Sequence, residues 1–276
     1  MRKQSLGSRV SQFVLAATVL GTGFVQLAAA EYIMRSTLME SGQATPEIST
    51  EELKAILEAK SATVFDTRPA AEYAVSHIPG AVNVAPKPGM PMSLYTSDVA
   101  EVGRLLEGDR SAPIVMYCNG PFCGKSKRLS EELIAAGYTN VRRYQLGIPV
   151  WRALIGLTQI EEEGFRYVLR RDMSSVFVDA RSHELFATGS LARARNIPLA
   201  EVKAAKDDGR LPMEDHNTRI IVFGDTGAEA KAVAKEIAKN AFHNVAFYDG
   251  GWEEVRSFLG LDDEKPVDIT MRPRLP

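Results

Sequence analysis

The stretch Tyr117-Cys118-Asn119-Gly120-Pro121-Phe122-Cys123-Gly124-Lys125-Ser126 holds both cysteines of the chain. It follows a short apolar run, Pro113 to Tyr117, that predicts a buried strand. It precedes Lys125 to Ala136, whose spacing predicts an amphipathic helix. A thiol between a strand end and a helix start is where a fold can make a reactive thiolate. Two glycines and a proline let several backbone N–H groups turn toward one point, and such a nest with a helix N-terminus behind it favours an anion. The same field stabilises a thiolate and can bring a cysteine from about 8.5 into the range of roughly 3.5–7.5.

The elements that must position this loop alternate between strand and helix. Ser49-Thr50-Glu51-Glu52 reads as a capping box opening a helix to Lys60. Thr63-Val64-Phe65 predicts a strand running into Asp66, followed by Thr67-Arg68-Pro69 and a helical turn around Glu72-Tyr73. His77-Ile78-Pro79-Gly80-Ala81 leads into a second short strand, Val82-Asn83-Val84. Lys87 to Pro91 reads as a loop and Ser97 to Leu106 as a helix. After the cysteine loop come a strand at Asn140 to Tyr144 and a helix from Leu146 to Leu154 that holds Trp151. Strands alternating with helices imply a parallel sheet covered on both faces.

The pattern then recurs. Val176-Phe177-Val178-Asp179-Ala180-Arg181 repeats Val64-Phe65-Asp66-Thr67-Arg68 roughly 110 residues downstream. Asn196-Ile197-Pro198 closes its segment as Asn83-Val84 does. Ile220 to Phe223 repeats Ile114 to Tyr117, and Asn244 to Tyr248 repeats Asn140 to Tyr144. Several matches in one order mark diverged tandem domains. The second copy has Gly224 in the cysteine place, followed by Asp225-Thr226-Gly227, so it is read as incapable of thiol chemistry.

With Asp66-Thr67-Arg68, Glu72-Tyr73, His77 to Ala81, Tyr117-Cys118, Gly147 and Trp151 in the first copy, the chain resembles the tandem rhodanese (sulfurtransferase) family. The second copy matches at Asp179-Ala180-Arg181, Glu184, Asn196-Ile197-Pro198 and Gly250-Gly251-Trp252. The resemblance implies an α/β fold of two tandem rhodanese-like domains, each a five-stranded parallel sheet flanked by helices. The expected limits are a signal peptide at 1–30, a linker at 31–46, domain one at 47–157, a linker at 158–167, domain two at 168–268 and a tail at 269–276.

The resemblance also implies movement of a sulfane sulfur through a persulfide on the loop cysteine. The thiolate attacks a donor such as thiosulfate and expels sulfite, so the persulfide and its small sulfur-containing anionic partners all want N–H donors and a cation. Cys118 is then the nucleophile. Asn119, Gly120, Phe122, Gly124, Lys125 and Ser126 supply the anion-binding loop, with Lys125 as its cation. A thiol, cyanide or a protein is the acceptor, and the chemistry needs no cofactor or metal. The loop is longer than the usual family pattern, which places an arginine near its end. The related phosphatases need arginine six residues after the cysteine, and that place holds Gly124.

Several readings stay open at the level of sequence. Cys123 either accepts or resolves the sulfur, forms a disulfide with Cys118, or is passive. Asp66 and Arg68 are tempting as catalytic residues, but their recurrence in the cysteine-free copy favours a clamp bracing the loop. His77 is read as bracing a turn, and Trp151 and Trp252 as core residues. Besides a sulfurtransferase, the residues allow a thiol–disulfide or persulfide-reducing protein using both cysteines, or a non-catalytic binding module.

Composition bounds the partners and the compartment. The chain has 276 residues with a net charge of −2 and no basic stripe, which argues against nucleic acid as a partner. The four histidines are scattered singly, so no metal-ligand spacing forms. Met1 to Arg9 is basic, Val10 to Ala30 is uncharged and mostly apolar, and Ala28-Ala29-Ala30 fits the small-residue cleavage pattern. This predicts an exported protein, periplasmic if the source is a Gram-negative bacterium, or one anchored in the membrane if the segment stays uncleaved.

Overall fold

The computed structural model describes residues 31–86, 89 and 97–261. The predicted signal segment 1–30 and tail 269–276 lie outside the described residues, as does most of the predicted loop at Lys87 to Pro91. Among the described residues, no helix is long and apolar enough to cross a membrane.

The first half opens with α1 (Thr50–Ala59). Ser49 caps it reciprocally with Glu52: the Ser49 side chain accepts from the Glu52 N–H, and the Glu52 carboxylate accepts from the Ser49 N–H at 2.7 Å. There follow β1 (Thr63–Asp66), α2 (Ala70–Val75), β2 (Val82–Asn83), α3 (Asp98–Leu105), β3 (Ile114–Tyr117), α4 (Gly124–Ala135), β4 (Val141–Tyr144) and α5 (Gly147–Ile155). The strands form a parallel sheet in the order β2-β1-β3-β4. Leu53, Tyr117 and Trp151 pack on one face, and Phe65, Leu129 and Leu133 on the other.

This sheet has four strands rather than the expected five. The fifth place holds a single parallel bridge between Glu47 and Arg143. The Arg143 N–H donates to the Pro46 carbonyl and the Ile48 N–H to the Arg143 carbonyl. The run goes no further because Pro46 has no N–H to offer and the chain turns into α1 at Ser49.

The second half contains β5 (Leu157–Ile160), α6 (Glu162–Arg171), β6 (Val176–Asp179), α7 (His183–Ala187), β7 (Ala194–Asn196), a short 3-10 turn (Leu199–Glu201), α8 (Val202–Ala205), β8 (Ile220–Phe223), α9 (Gly227–Ala238), β9 (Val245–Tyr248) and α10 (Trp252–Leu259). Its five parallel strands run in the order β5-β9-β8-β6-β7. Residues 158–167, read from sequence as a linker, are therefore an edge strand and the start of a helix. Leu157, Thr158 and Ile160 are buried, and the acids Glu162 and Glu163 sit in the first turn of α6, where the helix dipole favours them.

The two halves are joined by backbone as well as side chains. His77 and Gln159 exchange both N–H···O bonds at 3.0 and 2.9 Å, and the Glu161 N–H donates to the Ala74 carbonyl. A Cβ on Gly164 would lie 2.0 Å from that carbonyl, so α6 approaches α2 as only glycine allows. Trp151 donates its indole N–H to the Leu157 carbonyl at 2.8 Å.

His77 lies buried at this junction, stacked on Tyr73 at 3.8 Å, with its Nδ1 at 3.0 Å from the Tyr73 carbonyl. Burial pushes its pKa down to about 4, against the opposing pull of the Tyr73 carbonyl and Asp66. Its Nε2 is 3.4 Å from Glu161. Between the ordinary histidine value of about 6.5 and about 4, the unfolded chain binds a proton that the folded chain refuses, so stability falls as pH falls through that window. Denaturation midpoints followed from pH 7 to pH 4 should lose up to about 3 kcal/mol more in the native protein than in His77→Gln, the loss being complete below about pH 4.

Candidate active site

β1 and β3 end side by side, with Asp66 opposite Tyr117. Asp66 and Arg68 are both buried there and form a clamp. Arg68 donates from Nε to Asp66 Oδ1 at 3.0 Å and from Nη2 to Oδ2 at 2.5 Å, and its own N–H donates to Oδ1 at 2.9 Å. Nη2 also donates to the Ser76 carbonyl at 2.7 Å. The Tyr117 hydroxyl donates to Asp66 Oδ2 at 2.5 Å and accepts from the Ile78 N–H at 3.1 Å. Burial, and the nearby Asp66 charge after it, hold the Tyr117 phenol well above its ordinary pKa, so it stays a donor. Asn83 ties the carbonyls of Asp66 and Arg68 together through its side-chain amide. The Asp66 carboxylate and the Nε and Nη2 donors of Arg68 are thus engaged within the frame, the arrangement expected of a clamp that braces the loop.

The loop after Tyr117 starts from this frame. Cys118 is buried and the structure joins it to Cys123 in a disulfide, with the two Cα atoms 6.2 Å apart. Gly120 has φ +96°, and its carbonyl accepts from the Cys123 N–H at 3.0 Å. The Cys118 carbonyl accepts from the Ile148 N–H at 3.1 Å. Gly147 makes this approach possible: it has φ +67°, and a Cβ there would meet the Gly120 nitrogen at 2.3 Å and the Cys118 oxygen at 2.5 Å. Gln145 holds the loop from beneath, donating to the Pro121 carbonyl at 3.4 Å, and the buried Arg143 donates in turn to the amide oxygens of Gln145 and Gln43.

The other loop residues divide. Asn119 is exposed and donates to Glu72 at 2.7 Å. Phe122 is fully exposed at the loop tip. Gly124 is the first residue of α4, whose first turn carries no acid and whose N-cap, Cys123, makes no side-chain capping bond. The positive end of a helix of 12 residues therefore stands behind the cysteines, with no acid in its own first turn. Lys125 lies half-buried with its ammonium 3.9 Å from Asp98, so its charge is shared with a carboxylate. Ser126 is buried, and its carbonyl accepts from Ser130. Among the described residues, no group of three or more His, Cys, Asp or Glu is placed to hold a metal ion.

The second half keeps the clamp and fills the loop differently. Asp179 stands opposite Phe223 in the same register, and Arg181 grips it through Nε at 3.0 Å and Nη2 at 2.7 Å. Asn196 bridges the carbonyls of Asp179 and Arg181 as Asn83 does in the first half. Where Tyr117 donates to Asp66, Ser190 donates to Asp179 Oδ2 at 2.6 Å. Gly224 occupies the place of Cys118. A Cβ on it would come within 2.7 Å of Glu229, whose carboxylate accepts from the Asp225 N–H at 2.7 Å. Thr226 caps α9 from the other side, accepting from the Glu229 N–H. An internal carboxylate thus sits at the start of α9, whereas the first turn of α4 carries no acid of its own.

Sequence reasoning singled out the cysteines and the clamp but not Tyr117, Asn83, Gln145 or Glu72 as partners in the site. The recurrence of Asn83 and Asn196 at one distance from their Asp-x-Arg elements was a signal for the bridging amide. Glu72, matched by Glu184 in the second copy, was visible as part of the family pattern but not as the partner of Asn119, and Gln145 carries no signal because its role depends on the loop folding back over it.

Comparison with known proteins places the frame. The family model described as a rhodanese-like domain matches residues 49–154 and again 167–257. An HTH-type transcriptional regulator of Mycobacterium tuberculosis is 35% identical over 116 residues, which are 42% of this chain and 45% of that protein. The chain thus spans less than half the length of this curated relative. Among solved structures, an uncharacterized protein from Saccharomyces cerevisiae is 20% identical with a TM-score of 0.31, covering 36% of this chain and 89% of that one. A thiosulfate sulfurtransferase from Pseudomonas aeruginosa is 18% identical with a TM-score of 0.30, covering 78% of this chain and 42% of that one.

Removing the hydroxyl in Tyr117→Phe takes a partner from the Ile78 N–H and from one Asp66 oxygen. The cost should be about 1–3 kcal/mol of unfolding free energy, read from urea denaturation. A loss below about 0.5 kcal/mol would show that the hydroxyl does not complete the clamp.

Proposed function

The chain belongs to the rhodanese-like domain family and carries the domain twice, and from that premise we propose that its first copy is a sulfurtransferase working through Cys118. The observation that carries the reading is the contrast between the two loops. In the first, a cysteine sits at a strand end before an uncapped helix start. In the second, glycine replaces the cysteine and Glu229 covers the neighbouring N–H.

The cycle starts from the reduced pair, which an external thiol generates from the disulfide by exchange, two thiols becoming one disulfide as both cysteines are freed. The Cys118 thiolate attacks the outer sulfur of thiosulfate or a similar sulfane donor. A new S–S bond forms, the donor S–S bond breaks, and sulfite leaves with the electron pair. The persulfide anion rests against the start of α4, whose partial positive charge suits it. A thiol, cyanide or protein acceptor then attacks the terminal sulfur and returns Cys118 as a thiolate. The second copy serves as framework, closing one side of the cleft beside the loop.

The disulfide favours one variation. Cys123 lies close enough to attack the inner sulfur of the persulfide, forming Cys118–Cys123 and releasing hydrosulfide. That route consumes a reductant each turn, whereas transfer to an acceptor does not. Export, expected from residues 1–30, belongs to the same proposal, since an oxidising compartment is where such a pair is kept joined between turns. N-terminal sequencing of the exported protein checks the cleavage expected after Ala30.

Mass spectrometry of the reduced protein after thiosulfate treatment should show a gain of one sulfur. That gain should persist in Cys123→Ser and vanish in Cys118→Ser. Absence of any gain from several sulfane donors would refute the assignment. Loss of turnover in Cys123→Ser with the gain retained would select the hydrosulfide-releasing route.

A further inference from the structure

A cleft of about 1120 Å³ opens beside the loop, between α2 and α5 of the first half and α6 of the second. Asn119, the residue after Cys118, lies on its wall. Such a volume lies just above the upper end of sites that hold organic molecules, about 300–1,000 Å³, and far exceeds what a bare inorganic ion fills. The wall is largely apolar or aromatic, with Tyr73, Val75, Ile148, Pro149 and Tyr167 among its residues.

The charges on this wall are mostly spent. Arg68 is clamped to Asp66, Arg104 pairs with Glu101 at 2.6 Å, and Arg219 stands 3.4 Å from Asp172. Glu72 accepts from Asn119, and Glu161 faces His77. Glu163, in the first turn of α6, is exposed. Arg152 differs from the other cations. It is half-buried, its Nε is shielded from solvent without a hydrogen-bond partner, and it enters no ion pair among the described residues. Burial first, and the neighbouring Arg68 and Arg219 next, bring its pKa down to about 10, so it still carries its charge at neutral pH. A guanidinium drawn partly out of water with no counterion carries a cost, and a bound anion relieves it.

Resting on the sulfur-transfer reading above, we propose that this cleft binds the sulfur acceptor, a small organic thiol bearing a carboxylate or sulfonate, and that Arg152 holds its anionic group. The apolar wall takes the carbon skeleton, and the thiol reaches the loop past Asn119. Its thiolate forms a bond to the terminal sulfur of the Cys118 persulfide. The S–S bond to Cys118 breaks, the acceptor leaves as a persulfide and Cys118 as a thiolate, with no net oxidation. Arg152 thereby sets which thiols are used, while the chemistry stays with Cys118.

Two thiols of similar size separate the charge from the reaction: 3-mercaptopropionate and neutral 2-mercaptoethanol. In Arg152→Met, kcat/KM for the acid should fall about tenfold or more and that for the neutral thiol should stay within about twofold. Arg152→Lys should recover part of the loss for the acid alone. Equal falls for both thiols, or no fall, would overturn the proposal. A fall confined to loading with thiosulfate would also overturn it, by assigning Arg152 to the donor. A second measurement does not depend on sulfur transfer. The thioether 3-(methylthio)propionate, which has no thiol, should raise the melting temperature of the native protein at millimolar concentration and leave that of Arg152→Met unmoved. Stabilisation of both proteins, or of neither, contradicts the site. Should no sulfur ever load onto Cys118 while the thioether still discriminates the two proteins, the transfer reading fails and the anion site stands.

Discussion

Everything at the loop hangs on the buried ion pair between Asp66 and Arg68. Two opposite charges taken out of water cost several kcal/mol each, and only full hydrogen bonding at close range offsets this. Here the offset comes from several bonds at once: the carboxylate receives the guanidinium, a backbone N–H and the Tyr117 hydroxyl, and the guanidinium reaches on to the Ser76 carbonyl. The pair therefore fixes three segments at once, the end of β1, the turn at Ser76 and the end of β3. The last of these is the residue before Cys118. A nucleophile can be held still only if the backbone that carries it is held still, and this clamp is the part of the frame that does so.

The second half shows what the clamp does by itself. Asp179 and Arg181 repeat it nearly atom for atom, with Ser190 supplying the donor that Phe223 cannot. Yet the loop above that clamp is filled from within, Glu229 accepting the Asp225 N–H and Thr226 capping α9. The same backbone frame thus supports a loop bridged by two cysteines in one half and a loop filled by Glu229 in the other. The difference lies in a few side chains after the strand: Cys118 against Gly224, and the acid-free first turn of α4 against Glu229 in α9.

Much of this was legible in the sequence because it rests on local chemistry. The Ser49–Glu52 capping box, the Asp-x-Arg elements and the cysteine loop each depend on residues a few positions apart, and the tandem repeat exposes them twice. What was not legible depends on distant pairing. Leu157 to Ile160 is only four residues long and runs straight into three acids, so it reads as a linker until β9 is seen beside it. The missing fifth strand of the first sheet is the converse: Glu47 lies in the right place, but Pro46 and the cap at Ser49 leave room for one bridge. Arg143 under the loop, Arg152 in the cleft and Glu229 over the second loop are ordinary charged residues in the sequence. Their roles come from where helices and strands bring them, and no spacing rule announces it.

The central claim is that the first loop is built to carry an anion on Cys118. The direct measurement is the pH dependence of alkylation by iodoacetamide in the reduced Cys123→Ser protein, where Cys118 is the single thiol. The account predicts a thiolate that titrates well below the ordinary cysteine value of about 8.5, with rapid labelling near neutral pH. A midpoint at or above about 8.5, or a thiol that labels only after unfolding, would contradict it.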